Sequence, residues 1–168
     1  MTDLSKRNRR ELEAARARSG RRAAHRAPAK LLTVLHIEDD PNDTELLRAA
    51  TRRADVQFNI INVEDGDEAM AYLSGAGIYS DRSQYPFPAL VLLDLKMPRA
   101  TGLEILKWIR EHPECGNLPV LILSGSELHE DIRRAYESGA NSYLIKPLGF
   151  EELVGLIKDV DAVWLPAE

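Results

Sequence analysis

The chain has 168 residues, 29% of them charged and 44% hydrophobic, with a formal net charge of −5. That length suits one domain, at the usual ~100–200 residues per domain, and the composition suits a folded body with an apolar core. The lone cysteine, Cys115, excludes a disulfide framework or thiolate zinc cage and fits the reducing cytoplasm; no apolar run reaches the ~20 residues that span a bilayer, and the first 30 residues lack the apolar stretch of a secretory signal.

Residues 1–30 carry ten Lys/Arg against three Asp/Glu, whereas residues 31–168 carry twelve against twenty-four. The chain is a basic arm on an acidic body. Met1, Leu4 and Leu12 are the only large apolar side chains of the arm, too few to offset the entropy of ordering it. It is read as a solvated, partly disordered extension with a transient helix near residues 10–18 and a linker around Gly20 and Pro28. An alternative gives the arm a grip on nucleic acid or another anionic partner, although the acidic body speaks against nucleic acid. Asp3, Glu11 and Glu13 speak against an organelle transit peptide.

From Leu31 short apolar runs alternate with amphipathic stretches. Leu31–Ile37 reads as a buried strand that stops at Glu38-Asp39-Asp40. A helix follows, opened by Pro41, with Asp40 and Asp43 suited to its N-terminus. Val56–Val63 is the second strand and Asp67–Leu73 the second helix. Residues 74–88 form a Gly-, Pro- and Ser-rich loop. Ala89–Leu93 is an uninterrupted apolar strand ending at Asp94, followed by a helix over Leu103–Glu111. Leu118–Leu123 is the fourth strand, ending at Ser124, and a helix over Glu130–Ser138 stops at Gly139. Ser142–Ile145 is the fifth strand, ending at Lys146-Pro147, and the last helix covers Phe150–Ala162.

Five strands alternating with five helices predict a parallel α/β sheet covered on both faces, with functional groups where strand ends meet their loops. Those ends carry Glu38 and Asp39, Asp94, Ser124 and Lys146. If the first and third strands adjoin, three carboxylates crowd together, and a divalent cation would relieve their repulsion. All-oxygen ligands at an open rim suit Mg²⁺. A carboxylate beside such a cation can attack phosphorus, and a moving phosphoryl group needs nearby positive charge and donors, which Lys146 and Ser124 offer.

Taken with their strand placement, Glu38-Asp39, Asp94-Leu95-Lys96-Met97-Pro98 with Gly102, Ser124-Gly125, and Tyr143 with Lys146-Pro147 resemble the receiver domain of two-component response regulators. The resemblance covers about residues 31–165, within a receiver domain drawn as 31–168 after the 1–30 arm. It implies a flavodoxin-like (βα)5 doubly wound sheet of order 2-1-3-4-5. It also implies Asp94 as phosphoacceptor, and Mg²⁺ held by Glu38, Asp39, Asp94 and the Lys96 carbonyl. Lys146 would pair with the phosphoryl group, Ser124 and Tyr143 would form the switch, and the Lys146–Pro147 bond would be cis. Three positions depart from the commoner pattern: Glu38 replaces Asp, Gly125 replaces a residue that is often Ala, and Lys96 replaces one that is often Asn. The 74–88 loop, the Leu92–Pro98 stretch and the Val163–Pro166 tail further resemble single-domain regulators that partner phytochrome histidine kinases.

The expected protein is a stand-alone, non-enzymatic receiver. A sensor histidine kinase, of phytochrome type in the narrower reading, phosphorylates it. The response is a change on the face made by the last two helices and the fifth strand, with a homodimer among the outcomes. Only three residues follow Leu165, so no output domain is expected. A phosphatase using an aspartyl-phosphate intermediate would want a second Asp where Lys96 stands.

Overall fold

The computed structural model describes residues 3–19, 31–97 and 101–165. Strands β1 (Leu32–Ile37), β2 (Phe58–Val63), β3 (Leu90–Leu93), β4 (Val120–Ser124) and β5 (Ser142–Ile145) form one parallel sheet of order β2-β1-β3-β4-β5. Parallel neighbours require long crossovers. These contain helices α2 (Pro41–Ala54), α3 (Gly66–Ser74), α4 (Gly102–Glu111), α5 (His129–Glu137) and α6 (Phe150–Trp164). The register sets Ile37 beside Val63 and Leu93, Leu93 beside Ile122, and Ile122 beside Tyr143. The carboxyl ends of the strands therefore share one rim.

Strand side chains alternate between two buried layers. Leu35, Ile37, Val91, Leu93, Val120 and Ile122 pack with α3, α4 and α5. Val34, Leu90, Leu92, Leu121, Leu123 and Leu144 pack with α2 and α6. Burial on both sides explains why these strands read as continuous apolar runs. Trp164 is buried in the second layer. The 74–88 loop contains a 3-10 turn over Gly77–Ser80. Tyr79 stacks at 5.0 Å from both Tyr72 and Tyr85, and the Arg82 guanidinium closes the end of α3 on the carbonyls of Tyr72 and Leu73.

The largest departure from expectation lies in the arm. Asp3–Ser19 is a helix, α1, docked on the body. Leu12 and Ala15 are buried with α6 and the second layer, and Leu4 packs against the first. The spacing of Leu4, Asn8, Leu12 and Ala15 puts one narrow stripe on the body, enough for docking where a wide apolar face is lacking. The linker at residues 20–30, Pro98 and the tail beyond Leu165 lie outside the described residues. The Lys146–Pro147 bond, expected cis, is trans, the form that even prolyl amides favour by about 0.5–1 kcal/mol.

His36, in the middle of the sheet, is buried and Nδ1 lacks a hydrogen-bond partner among the described residues. Burial, and then the positive charge of Lys146, hold its pKa down from 6.5 to about 3, against a hydrogen bond with Asn62 that raises it. The folded chain thus keeps His36 neutral where the unfolded chain protonates it, so its contribution to stability is lost as pH falls below 6.5. Between neutral pH and pH 5 the loss is about 2 kcal/mol. Urea unfolding at both pH values should show that slope flattened in His36→Leu; an unchanged slope would remove His36 as its source.

Candidate functional site

The first ends to meet at the rim are those of β1 and β3. Glu38 leaves β1 with its backbone N–H on the Val63 carbonyl, and only 1% of it is exposed. Its Oε1 accepts from the Asp40 amide at 3.0 Å. Asp40 in turn caps α2 by accepting from the Asn42 amide at 2.8 Å. Asp39 stands between them, half-buried. Asp94 leaves β3, held by its own N–H on the Ile37 carbonyl, and is 6% exposed. The Lys96 amide donates to Asp94 Oδ1 at 3.2 Å, and Lys96 is exposed.

Gly102 sets the position of this loop. A Cβ there would lie 2.3 Å from the Asp94 carbonyl oxygen and 2.8 Å from Leu95 Cα. Immediately before it, Thr101 and Glu104 form a reciprocal capping box that starts α4. The start of α4 therefore sits directly on the end of β3.

From β5, Lys146 reaches across the rim. Its Nζ lies 2.6 Å from Glu38 Oε2, 2.6 Å from Asp43 Oδ2 and 3.3 Å from Asp94 Oδ2. Burial works against the ammonium, but hydrogen bonds to Asp43 and Glu38 and the charge of Asp94 prevail and hold its pKa above the ordinary lysine value. Glu38 is shifted upward, chiefly by burial and also by the charge of Asp94, against the lowering pull of Lys146 and the Asp40 amide.

Ser124, fully buried at the end of β4, accepts the Lys146 N–H on its carbonyl at 2.9 Å. Its hydroxyl accepts from the Ser126 amide at 3.2 Å and faces Tyr143. Tyr143 is buried, with its hydroxyl donating to the Ser126 carbonyl at 2.9 Å. Burial raises its pKa.

Glu38, Asp94 and Lys146 thus come together, and Ser124 and Tyr143 form an adjoining pair. Asp43 sits in the first turn of α2, as its sequence position suits, and is in addition a partner of Lys146. The available signal was its place in the first turn of α2, one turn from the strand end. Gly125, the other departure at this rim, is exposed, with open space where a Cβ would stand.

The donors are carboxylates: Glu38, Asp43 and Asp94 surround one ammonium, and Asp39 follows Glu38 in the chain. Burial disfavours the charge on Glu38. That chemistry fits a hard divalent cation such as Mg²⁺. Among the described residues no three His, Cys, Asp or Glu side chains are gathered as a ready cage; Glu38, Asp43 and Asp94 converge on Lys146. Among the same residues, no helix is long and apolar enough to cross a membrane.

Residues 34–158 match the family model of the response regulator receiver domain. The response regulator Rcp1 of Synechocystis sp. is 31% identical over 132 residues, 79% of this chain and 88% of that protein. Its Mn²⁺-bound crystal structure aligns with TM-score 0.70 and 30% identity over 82% of this chain and 96% of that one. Response regulator RPA3017, in red light signaling of R. palustris, aligns with TM-score 0.77 and 36% identity over 80% of this chain and 94% of that one. The phosphorylated cyanobacterial phytochrome response regulator RcpA aligns with TM-score 0.73 and 32% identity over 81% and 95%.

Proposed function

The chain belongs to the response regulator receiver family, and on that premise we propose that it accepts a phosphoryl group on Asp94 from a sensor histidine kinase, of the phytochrome type, in a Mg²⁺-dependent relay. The observation that carries the reading is the setting of Asp94, a carboxylate at a strand end 3.3 Å from the Lys146 ammonium. Similarity to regulators described as phytochrome-associated or as acting in red light signalling supports the choice of kinase.

Glu38, Asp39, Asp94 and the Lys96 carbonyl would hold Mg²⁺. Bound there, the ion supplies charge neutralisation for carboxylates and phosphoryl oxygens. An Asp94 carboxylate oxygen forms the new bond to phosphorus as the phosphohistidine P–N bond breaks, its electron pair leaving with the imidazole. Transfer of this kind depends on positioning and charge more than on acid–base groups. Lys146, already drawn by carboxylates, then pairs with the phosphoryl oxygens, and the Ser124 hydroxyl donates to another. Tyr143 lies against Ser124, so a moved hydroxyl alters its packing, and the face of α5, β5 and α6 changes its preference among pre-existing states. The product is a signal passed by contact, in keeping with a family that generally signals rather than catalyses.

Intact-mass spectrometry after acetyl phosphate tests this. With Mg²⁺ the chain gains one phosphate; Asp94→Asn and wild type in EDTA gain none. A phosphate retained by Asp94→Asn would remove Asp94 as the acceptor.

A further inference from the structure

Among the described residues the outer edge of β5 borders no other strand, yet the N–H groups of Tyr143 and Ile145 and the Ile145 carbonyl on it have partners. The Asn8 side chain, 2% exposed, donates from Nδ2 to the Ile145 carbonyl at 3.0 Å and accepts the Ile145 N–H on Oδ1 at 3.2 Å. One amide thus reproduces the two bonds a neighbouring strand would make. The Tyr136 hydroxyl of α5 takes the Tyr143 N–H at 3.1 Å and donates to Glu11 of α1. A sheet edge is a template for association, and here a helix of the same chain caps it.

The rest of the contact reads as a docked ligand. Leu12 and Ala15 are its buried apolar anchors. Arg7 meets Glu127 before α5 at 3.2 Å, and Arg9 approaches Asp159 of α6 at 3.9 Å. Such surface pairs add little strength. A groove of about 430 Å³ remains between α1 and α6, lined by Ser5, Arg9, Glu152, Gly155 and Lys158 among others. An open groove left along the contact suits reversible attachment.

The anchors also fall where the site would move. Ile145, held on both sides by Asn8, immediately precedes Lys146. Tyr143, whose N–H is held through Tyr136, lies against Ser124. A phosphoryl group on Asp94 that redraws Lys146 and Ser124 pulls on the two residues, Tyr143 and Ile145, whose backbone α1 reads directly or through Tyr136.

We propose that the β5 edge, with α5 and α6, is a helix-binding surface that α1 fills in cis, and that phosphorylation of Asp94 loosens α1 from it. The second half rests on the function proposed above. By linkage the effect runs both ways: a change that releases α1 favours the phosphorylated state. The surface selects a helix bearing the pattern of Leu4, Asn8, Leu12 and Ala15 with flanking arginines, so a partner with that chemistry competes with α1.

Hydrogen exchange read by mass spectrometry on the full chain, with and without acetyl phosphate and Mg²⁺, tests both halves. In the untreated protein, amides of residues 3–19 are protected, and the protection is independent of protein concentration. After phosphorylation they exchange roughly tenfold faster, a common scale for coupling between sites. Asn8→Ala, and the surface variant Arg7→Glu/Arg9→Glu that leaves the buried anchors alone, show the faster exchange without phosphate and a several-fold higher phosphorylated fraction. Unprotected α1 amides in the untreated wild type overturn the docking. Protection lost on dilution assigns the helix to a second copy and overturns the cis arrangement. Equal protection before and after phosphorylation, or variants with freed α1 and wild-type phosphorylation, overturn the coupling. If Asp94 gains no phosphate mass, the proposed function and the switch fall together, while exchange in the untreated wild type and Asn8→Ala still decides the docking.

Discussion

Lys146→Met is expected to lower the stability of the protein in EDTA by about 3 kcal/mol at neutral pH, the scale of breaking a buried ion pair by removing one partner. The reason is the burial of Glu38, whose carboxylate is 1% exposed and has the Lys146 ammonium at 2.6 Å. Without that ammonium, Glu38, Asp43 and Asp94 face one another uncompensated. The folded pKa of Lys146 is raised, so its contribution is complete at neutral pH and would fade only as pH rises through that elevated value. Glu38 is itself shifted upward by burial. As pH falls through its folded pKa it takes up a proton, the repulsion ends, and the deficit of the variant narrows. Mg²⁺ should narrow it as well, because the cation supplies the charge the lysine no longer does. Urea unfolding of wild type and variant, with pH and Mg²⁺ varied, checks all three. A variant as stable as wild type in EDTA at neutral pH would mean that the acidic cluster does not depend on the lysine.

Gly102→Ala is expected to cost about 3 kcal/mol, at the upper end for overpacking, and to slow phosphorylation of Asp94 by acetyl phosphate at least about tenfold, since small misplacements of reacting groups are expensive. The added methyl would meet backbone, the Asp94 carbonyl oxygen at 2.3 Å and Leu95 Cα at 2.8 Å. Neither can swing aside as a flexible side chain does. Relief requires the chain after β3 to move, and that chain orients Asp94 through the Lys96 amide. Thermal unfolding and single-turnover mass spectrometry are the measurements. Normal stability with normal phosphorylation would show that the loop has slack which the contact distances deny.

The sheet was legible because parallel strands buried on both faces announce themselves as apolar runs, and each run ends where a polar residue interrupts it. Ser142–Ile145 coincides with its predicted range, and Leu118–Leu123 differs from Val120–Ser124 only at its ends. Placing Glu38, Asp94 and Lys146 at one rim followed from strand ends alone. Three things did not follow. The place of Asp43 in a first turn is a local signal, whereas its bond to Lys146 spans 103 residues. Asn8 is a polar residue among arginines, and its partner, Ile145, is 137 residues away. That the Tyr136 hydroxyl joins Glu11 to the Tyr143 backbone depends on where α1 lies.

By itself, then, the amino-acid order determined the α/β alternation and the chemistry of the residues at the strand ends, because apolar periodicity and backbone preference act over a few residues and need no partner. The tertiary structure alone decided that residues 3–19 of the basic arm are a docked helix, that one asparagine pairs with the β5 edge at Ile145, and that Asp43 shares the lysine. A thin stripe such as Leu4, Asn8, Leu12 and Ala15 has too little apolar surface to hold a helix in water. Its stability comes from the surface it meets, and that surface exists only once β5, α5 and α6 have packed.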